Sequence, residues 1–101
     1  RPDARWRVTP GTVEEVAALQ RVLLTAAAGL VRAGGTLVYS VCTLTNAETI
    51  EIDEWTASTL PGFTALPPPD APWIALGRGA RLLPQAAGTD GMYVLRLRRD
   101  N

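Results

Sequence analysis

The 101-residue sequence contains no histidine and a single cysteine, Cys42. One thiol excludes an internal disulfide, and with no histidine beside it the sequence argues against a metal site. A lone unpaired thiol fits a reducing, cytoplasmic setting better than a secreted one. Lysine is missing too, so all 10 basic residues are arginine, the side chain better suited to holding phosphate in two-pronged geometry. Uniform arginine use says little about function by itself. Asp and Glu number 10 and balance the arginines, so no net field invites a nucleic acid or a membrane. No apolar run approaches membrane-spanning length and none reads as a signal peptide, so no membrane association is expected. Internal repeats are absent, and low complexity is confined to Pro67-Pro68-Pro69. The chain is long enough for one small domain at most. It starts at Arg1, without Met, in the polar segment R-P-D-A-R-W-R, and is expected to be a piece of a longer protein.

What is present is organised around Gly34 to Thr49. Gly34-Gly35 stops a helix, and the β-branched, apolar run Thr36 to Val41 is short enough to be a strand. Apolar on both faces, it reads as a parallel strand covered on both sides by helices. Cys42 falls where that strand runs out. Thr45 then opens a second helix, with Glu48 three residues on to complete a T-x-x-E capping box. A thiol thus stands at the carboxyl end of the strand of an α/β unit, the end at which ligands bind in open α/β sheets.

Upstream, Thr12-Val13-Glu14-Glu15 is another capping box with acidic residues in the first turn. Val16, Leu19, Leu23, Ala27 and Leu30 follow at steps of three and four, which predicts an amphipathic helix from about Val13 to Ala33 with Gly34 as its C-cap. The second helix is expected from roughly Asn46 to Ser58, with Ile50, Trp55 and Ala57 inward and Glu51, Asp53 and Glu54 on its solvated face. Phe63 to Leu66 reads as a short strand. Pro67 to Gly79 reads as a surface loop anchored by Trp73, and Arg81 to Leu83 as a brief strand. Met92 to Leu97 alternates apolar and polar residues and reads as the last strand of a closing hairpin, after the turn signal Asp90-Gly91. A parallel strand needs a parallel neighbour, and nothing else in the chain clearly supplies one.

Four stretches together resemble a known family. They are G-G-T-L-V-Y-S-V-C-T, A-E-T opening a helix, L-L-P-Q-A-A-G-T-D-G-M-Y-V-L-R-L, and the opening R-P-D-A-R-W-R. The resemblance is to the RNA (cytosine-5) methyltransferases, which include the bacterial Sun-type 16S ribosomal RNA enzymes and the eukaryotic Nop2-type ones. Members carry G-G-x-L-V-Y-x-T-C-S on the fifth strand of a Rossmann-like fold and a D-G-F-F-x-A-x-L-like segment near the carboxyl terminus. They also carry R-x-P-D-x-R-W just after a Pro-Cys motif. Here Val41 stands for the usual Thr and Thr43 for Ser. Asn46-Ala47-Glu48-Thr49 replaces Pro-Glu-Glu-Asn, and Met92-Tyr93 replaces Phe-Phe. Val41 removes a hydroxyl beside the thiol.

The resemblance implies an α/β fold class, the C-terminal half of a Rossmann-like S-adenosylmethionine-dependent methyltransferase fold. That half would comprise a parallel strand, its crossover helices and an antiparallel closing hairpin, with residues 1–101 as a single partial domain. It implies S-adenosyl-L-methionine as cofactor, held mostly by residues upstream of Arg1, where the second cysteine of the Pro-Cys motif would also lie. It implies RNA, of ribosomal type, as the substrate. Carbon 5 of cytosine is too poor a nucleophile to take a methyl group directly, whereas a thiolate adding at carbon 6 makes carbon 5 an enamine-type nucleophile. The resemblance assigns that attack to Cys42. The amino end of the helix after Thr45 would favour the thiolate. Without the resemblance, a lone cysteine beside a buried strand reads as a small core hydrophobe.

Asp90-Gly91 is first a hairpin turn. The resemblance adds that it would lie near the catalytic pocket and touch a flipped-out base. Arg5, with Arg1, Arg7 and Trp6, is a candidate for contacting RNA phosphate and stacking on a base, and Arg96, Arg98 and Arg99 for tracking the backbone. Two rival readings stand beside this one: a non-enzymatic α/β interaction module with Cys42 in its core, and another methyltransferase on the same fold. For the isolated chain, an inactive protein that dimerises through an unpaired edge of the Thr36 to Val41 strand is expected.

Overall fold

The computed structural model describes residues 12–87 and 91–101. The first helix, α1 (Val13–Ala28), starts where the local chemistry places it: Glu15 N donates to Thr12 Oγ1 at 3.0 Å and Thr12 N donates to Glu15 Oε1 at 3.2 Å, a complete capping box. Its end comes earlier than expected. Gly29 is the C-cap, Leu30 N and Val31 N close the last turn on the carbonyls of Ala27 and Ala28, and Arg99 Nη1 donates to Ala28 O at 3.3 Å. Gly34 serves a different purpose, turning the chain into the sheet at φ +80°, with its N–H on Arg99 O at 2.8 Å.

The sheet is built on β5 (Met92–Arg99), which lies between β1 (Thr36–Val41) on one edge and two strands in tandem on the other. Register fixes this arrangement. Tyr93 is opposite Val41 of β1 and Arg81 of β4 (Gly79–Leu82), and Arg98 is opposite Thr36 of β1 and Thr64 of β2 (Phe63–Ala65). Strand β3 (Ile74–Leu76) pairs with β4 alone, closing a hairpin through the two-residue loop Gly77-Arg78. The segment expected to be a loop from Pro67 to Gly79 therefore holds a strand. Trp73 is half-buried but stands outside the core cluster.

Every pairing among the described strands is antiparallel. Strand β1 is the last strand in the sheet order, with no described neighbour on its other edge and only one face buried: Leu37 and Tyr39 point inward, while Thr36, Val38 and Ser40 are exposed. The expected parallel strand with two covered faces is thus, among the described residues, a half-buried edge strand.

One core joins Leu37 and Tyr39 of β1 to Tyr93, Leu95 and Leu97 of β5, Leu24 and Ala28 of α1, and Ile52 of α2 (Ile50–Thr59). Both helices therefore cover the same face of the sheet. Burying each large apolar side chain there stabilises the fold by about 1.5–3 kcal/mol. The rings of Tyr39 and Tyr93 meet edge to face at 6.3 Å.

The inward face of α1 differs from the expected one. Ala17, Leu24 and Ala28 are buried, whereas Leu19, Leu23 and Leu30 are exposed. The helix is apolar nearly all round, so two stripes one residue apart compete. The stripe bearing Ala17 and Ala28 lets the backbone come closer to the sheet. In α2 the fully buried residues are Ile52, Asp53 and Thr56; Trp55 packs half-buried against the core as expected, Ile50 is half-buried and Ala57 is exposed. Glu51 and Glu54 are exposed as expected, but Asp53 is not on the solvated face. Between β4 and β5 lies the short helix α3 (Pro84–Ala87).

Candidate active site

Strand β1 delivers Cys42 one residue past its end, and the thiol is free and exposed. Because Val41 is opposite Tyr93, Cys42 falls level with Met92, at the start of β5. Gly91, the residue before Met92, is buried and sits at φ +108°. A Cβ there would lie 2.9 Å from Leu44 Cδ1. Glycine therefore permits the close approach of two loops, the one carrying the thiol and the one entering β5. Of the candidate site residues, Cys42 and Gly91 are brought to the same end of the sheet. Arg5 and Asp90 lie outside the described residues.

The loop after Cys42 is not capped as its T-x-x-E pattern suggested. Thr45 makes no side-chain bond to the following backbone, and only a 3-10 turn, Asn46–Glu48, forms there before α2 begins at Ile50. The helix dipole expected beside the thiol is thus reduced to that of one short turn. The hydroxyl instead meets the carboxylate directly: Thr45 Oγ1 donates to Glu48 Oε2 at 2.8 Å. Glu48 Oε1 accepts from Gln20 Nε2 of α1 at 3.0 Å, and the Glu48 carbonyl accepts from the Tyr39 hydroxyl at 2.8 Å. Thr49 Oγ1 donates to Thr45 O at 2.7 Å, and Thr45 N to Thr43 Oγ1 at 3.3 Å. Burial pushes the Tyr39 hydroxyl well above the ordinary phenol range, and the neighbouring Glu48 adds to the shift. Sequence reasoning missed the Gln20–Glu48 pair. The residues are 28 apart, and the only local signal, T-x-x-E, pointed to a cap.

Alongside the outer edge of β1 runs an open groove of about 400 Å3, lined by Gln20, Leu23, Leu24 and Ala27 of α1 and by Leu37 to Val41. No charged side chain lines it. It offers no opposite charge to the ammonium, carboxylate or sulfonium of S-adenosylmethionine. Among the described residues there is likewise no glycine-rich strand-to-helix loop of the kind that holds such a cofactor. The described residues therefore do not fit that group.

The architecture is shared with known enzymes. The chain superimposes on a methyltransferase homolog protein from Pyrococcus horikoshii with a TM-score of 0.74 at 24% identity, over 88% of this chain and 33% of that one. It also matches NSun6 from Pyrococcus horikoshii, solved with SFG, with a TM-score of 0.71 at 26% identity, over 94% of this chain and 25% of that one. The fold is that of part of an S-adenosylmethionine-dependent methyltransferase of the Rossmann-like class.

Residues 1–98 match the 16S rRNA methyltransferase RsmB/F family, and the chain belongs to that family. It is 41% identical to the ribosomal RNA small subunit methyltransferase B of Thermus thermophilus over 101 residues, 99% of this chain and 25% of that protein. Its identity to the ribosomal RNA small subunit methyltransferase F of Escherichia coli O157:H7 is 36% over 104 residues, 97% of this chain and 22% of that protein. The chain thus spans about a quarter of the length of these relatives.

Proposed function

We propose that the whole protein methylates carbon 5 of a cytosine in ribosomal RNA, with Cys42 as the nucleophile. The observation that carries this reading is an exposed thiol at the carboxyl end of β1, at the end of the sheet where Gly91 leads into β5, and within the run G-G-T-L-V-Y-S-V-C-T. Membership of a ribosomal RNA methyltransferase family supports the substrate class.

In this mechanism the Cys42 thiolate forms a bond to carbon 6 of the base, and the electron pair of the 5,6 double bond moves to carbon 5, which becomes nucleophilic. S-adenosylmethionine, which the described residues do not hold, would supply the methyl group as an electrophilic sulfonium substituent. Once carbon 5 carries the methyl group, transfer of its proton to solvent water leaves the C–H electron pair to re-form the 5,6 double bond, and the carbon 6–sulfur bond breaks to release Cys42 as thiolate. Exposure of Cys42 suits attack on a base taken out of its stack. Asp90 and Gly91 are proposed to border that base, and Arg5 to contact RNA phosphate.

Cys42→Ser in the whole protein tests the reading, with methyl incorporation into ribosomal RNA as the readout. A loss of about 1000-fold or more is expected. A serine variant that keeps its activity would overturn the covalent mechanism and leave another methyltransferase on this fold as the better account. The isolated chain is proposed to be inactive and to pair through the edge of β1 that has no neighbour among the described residues, where Val38 is 55% exposed and Leu23 of the adjacent α1 58%. Light scattering that finds only monomer, with slow amide exchange along β1, would refute the pairing.

A further inference from the structure

We infer that Glu48 is a positioning residue for Cys42: its carboxylate, clasped between Gln20 and Thr45, locks the thiol-bearing loop onto α1. The inference rests on the reading of Cys42 as nucleophile.

Three observations lead to it. Glu48 is only 9% exposed, and the two donors that reach its carboxylate, Gln20 Nε2 and Thr45 Oγ1, are neutral. A carboxylate held this way is a costly way to close a seam that two apolar residues would close as well. What the carboxylate adds is direction, because each of its oxygens takes a defined donor.

The bonds also converge on the right segment. Thr45 follows Cys42 by three residues, and it is joined to Glu48 by its hydroxyl, to Thr43 by its N–H and to Thr49 by its carbonyl. Tyr39, on the strand that leads to Cys42, holds the Glu48 carbonyl. On the opposite side Leu44 lies against Gly91. The loop is therefore gripped between α1 and the entry to β5, with Cys42 at its head.

The third observation concerns Gln20. Its Oε1 is buried without a hydrogen-bond partner. Turning that amide over would let it accept a bond from an amide at position 48, so Glu48→Gln has a route to keep the clasp. Glu48→Ala has none.

The experiment uses the whole protein with Glu48→Ala, Glu48→Gln, Glu48→Met and Gln20→Ala. Its readouts are kcat and KM for RNA methylation, the site-resolved rate of Cys42 alkylation by iodoacetamide, and thermal melting. Glu48→Ala should lower kcat by about tenfold or more with KM for RNA changed less than about twofold, because misplacing a reacting atom costs turnover more than binding. It should also change the alkylation rate. Glu48→Gln, which keeps both shape and hydrogen bonds, should return both toward the parent values, whereas Glu48→Met, which keeps the bulk without the hydrogen bonds, should not, a split that a purely packing role would not predict. Unchanged kcat and alkylation in Glu48→Ala would overturn the inference. Should that variant fail to fold, Gln20→Ala severs one tether alone, and an unaltered kcat there overturns it equally. The two readings fail separately. An active Cys42→Ser removes the nucleophile, whereas an inactive Cys42→Ser beside a fully active Glu48→Ala removes only the clasp.

Discussion

Two carboxylates are buried among the described residues, Glu48 and Asp53, and they are held in opposite ways. Asp53 faces a cation. Arg78 gives it the backbone N–H at 2.9 Å and Nε at 2.6 Å, while Nη2 of the same guanidinium reaches the Asp53 carbonyl at 3.0 Å and Thr56 Oγ1 at 2.8 Å. This fastens the β3–β4 hairpin onto α2. Gly77, at φ +58°, sits so close that any Cβ would collide with Asp53 Oδ2 and Ile50 Cδ1. Glu48 meets neutral donors and fastens the loop after Cys42. The ion pair has planar, charge-assisted geometry that admits no substitute. The neutral clasp has an amide that can turn over. Rigid fastening occurs where the fold must close, and the adjustable kind beside the Cys42 thiol.

The comparison can be broken most forcefully at Asp53. Asp53→Ala leaves a half-buried guanidinium without its anion and should cost about 3 kcal/mol, the low end for a broken buried pair because water reaches Arg78. Urea unfolding measures it. Glu48→Ala should cost less in the same assay, about 1–2 kcal/mol, since neutral donors lose less than a cation does. Equal losses would erase the distinction.

A smaller effect sharpens the contrast through the two tyrosines beside these carboxylates. Burial raises both hydroxyls well above the ordinary phenol range; Glu48 adds to the shift at Tyr39, and at Tyr93 Asp53 raises it while Arg78 partly opposes. The folded protein therefore keeps these protons where the unfolded chain loses them. Stability from this source is complete below the unfolded pKa of about 10 and falls as pH rises through and above it. Alkaline unfolding followed by circular dichroism should show the decline, and replacing either tyrosine by Phe should flatten it.

At neutral pH the two replacements should differ. Tyr39→Phe forfeits the bond to the Glu48 carbonyl, at a cost of about 1 kcal/mol. Tyr93→Phe removes a buried hydroxyl that has no hydrogen-bond partner in the structure, so its effect should stay within about 0.5 kcal/mol.

Much of the candidate site's placement was legible in advance because it is local. The run from Gly34 to Thr43 placed Cys42 directly after a strand, and the strand ends at Val41. Gly91 was identified as a turn residue before β5, and its positive φ agrees. The reading of Glu48 as a helix cap failed because its strongest partners are the Thr45 side chain and a residue on another helix, not the first turn's N–H groups. Asp53 looked solvated in I-E-I-D-E because the arginine that buries it lies 25 residues away.

By itself the sequence determined what forces within a few residues can decide. It set the start of α1 at a capping box, the alternation of Tyr93, Leu95 and Leu97 along β5, the breaks at glycine and proline, and the thiol at a strand's end. The tertiary structure decided which of two apolar stripes on α1 meets the sheet, that every described strand pairs antiparallel around β5, and which partners the two buried carboxylates take. Those choices depend on contacts between segments far apart in the chain. A carboxylate or an apolar stripe has the same local pattern whether it meets solvent or a partner, and only the packed chain supplies the partner.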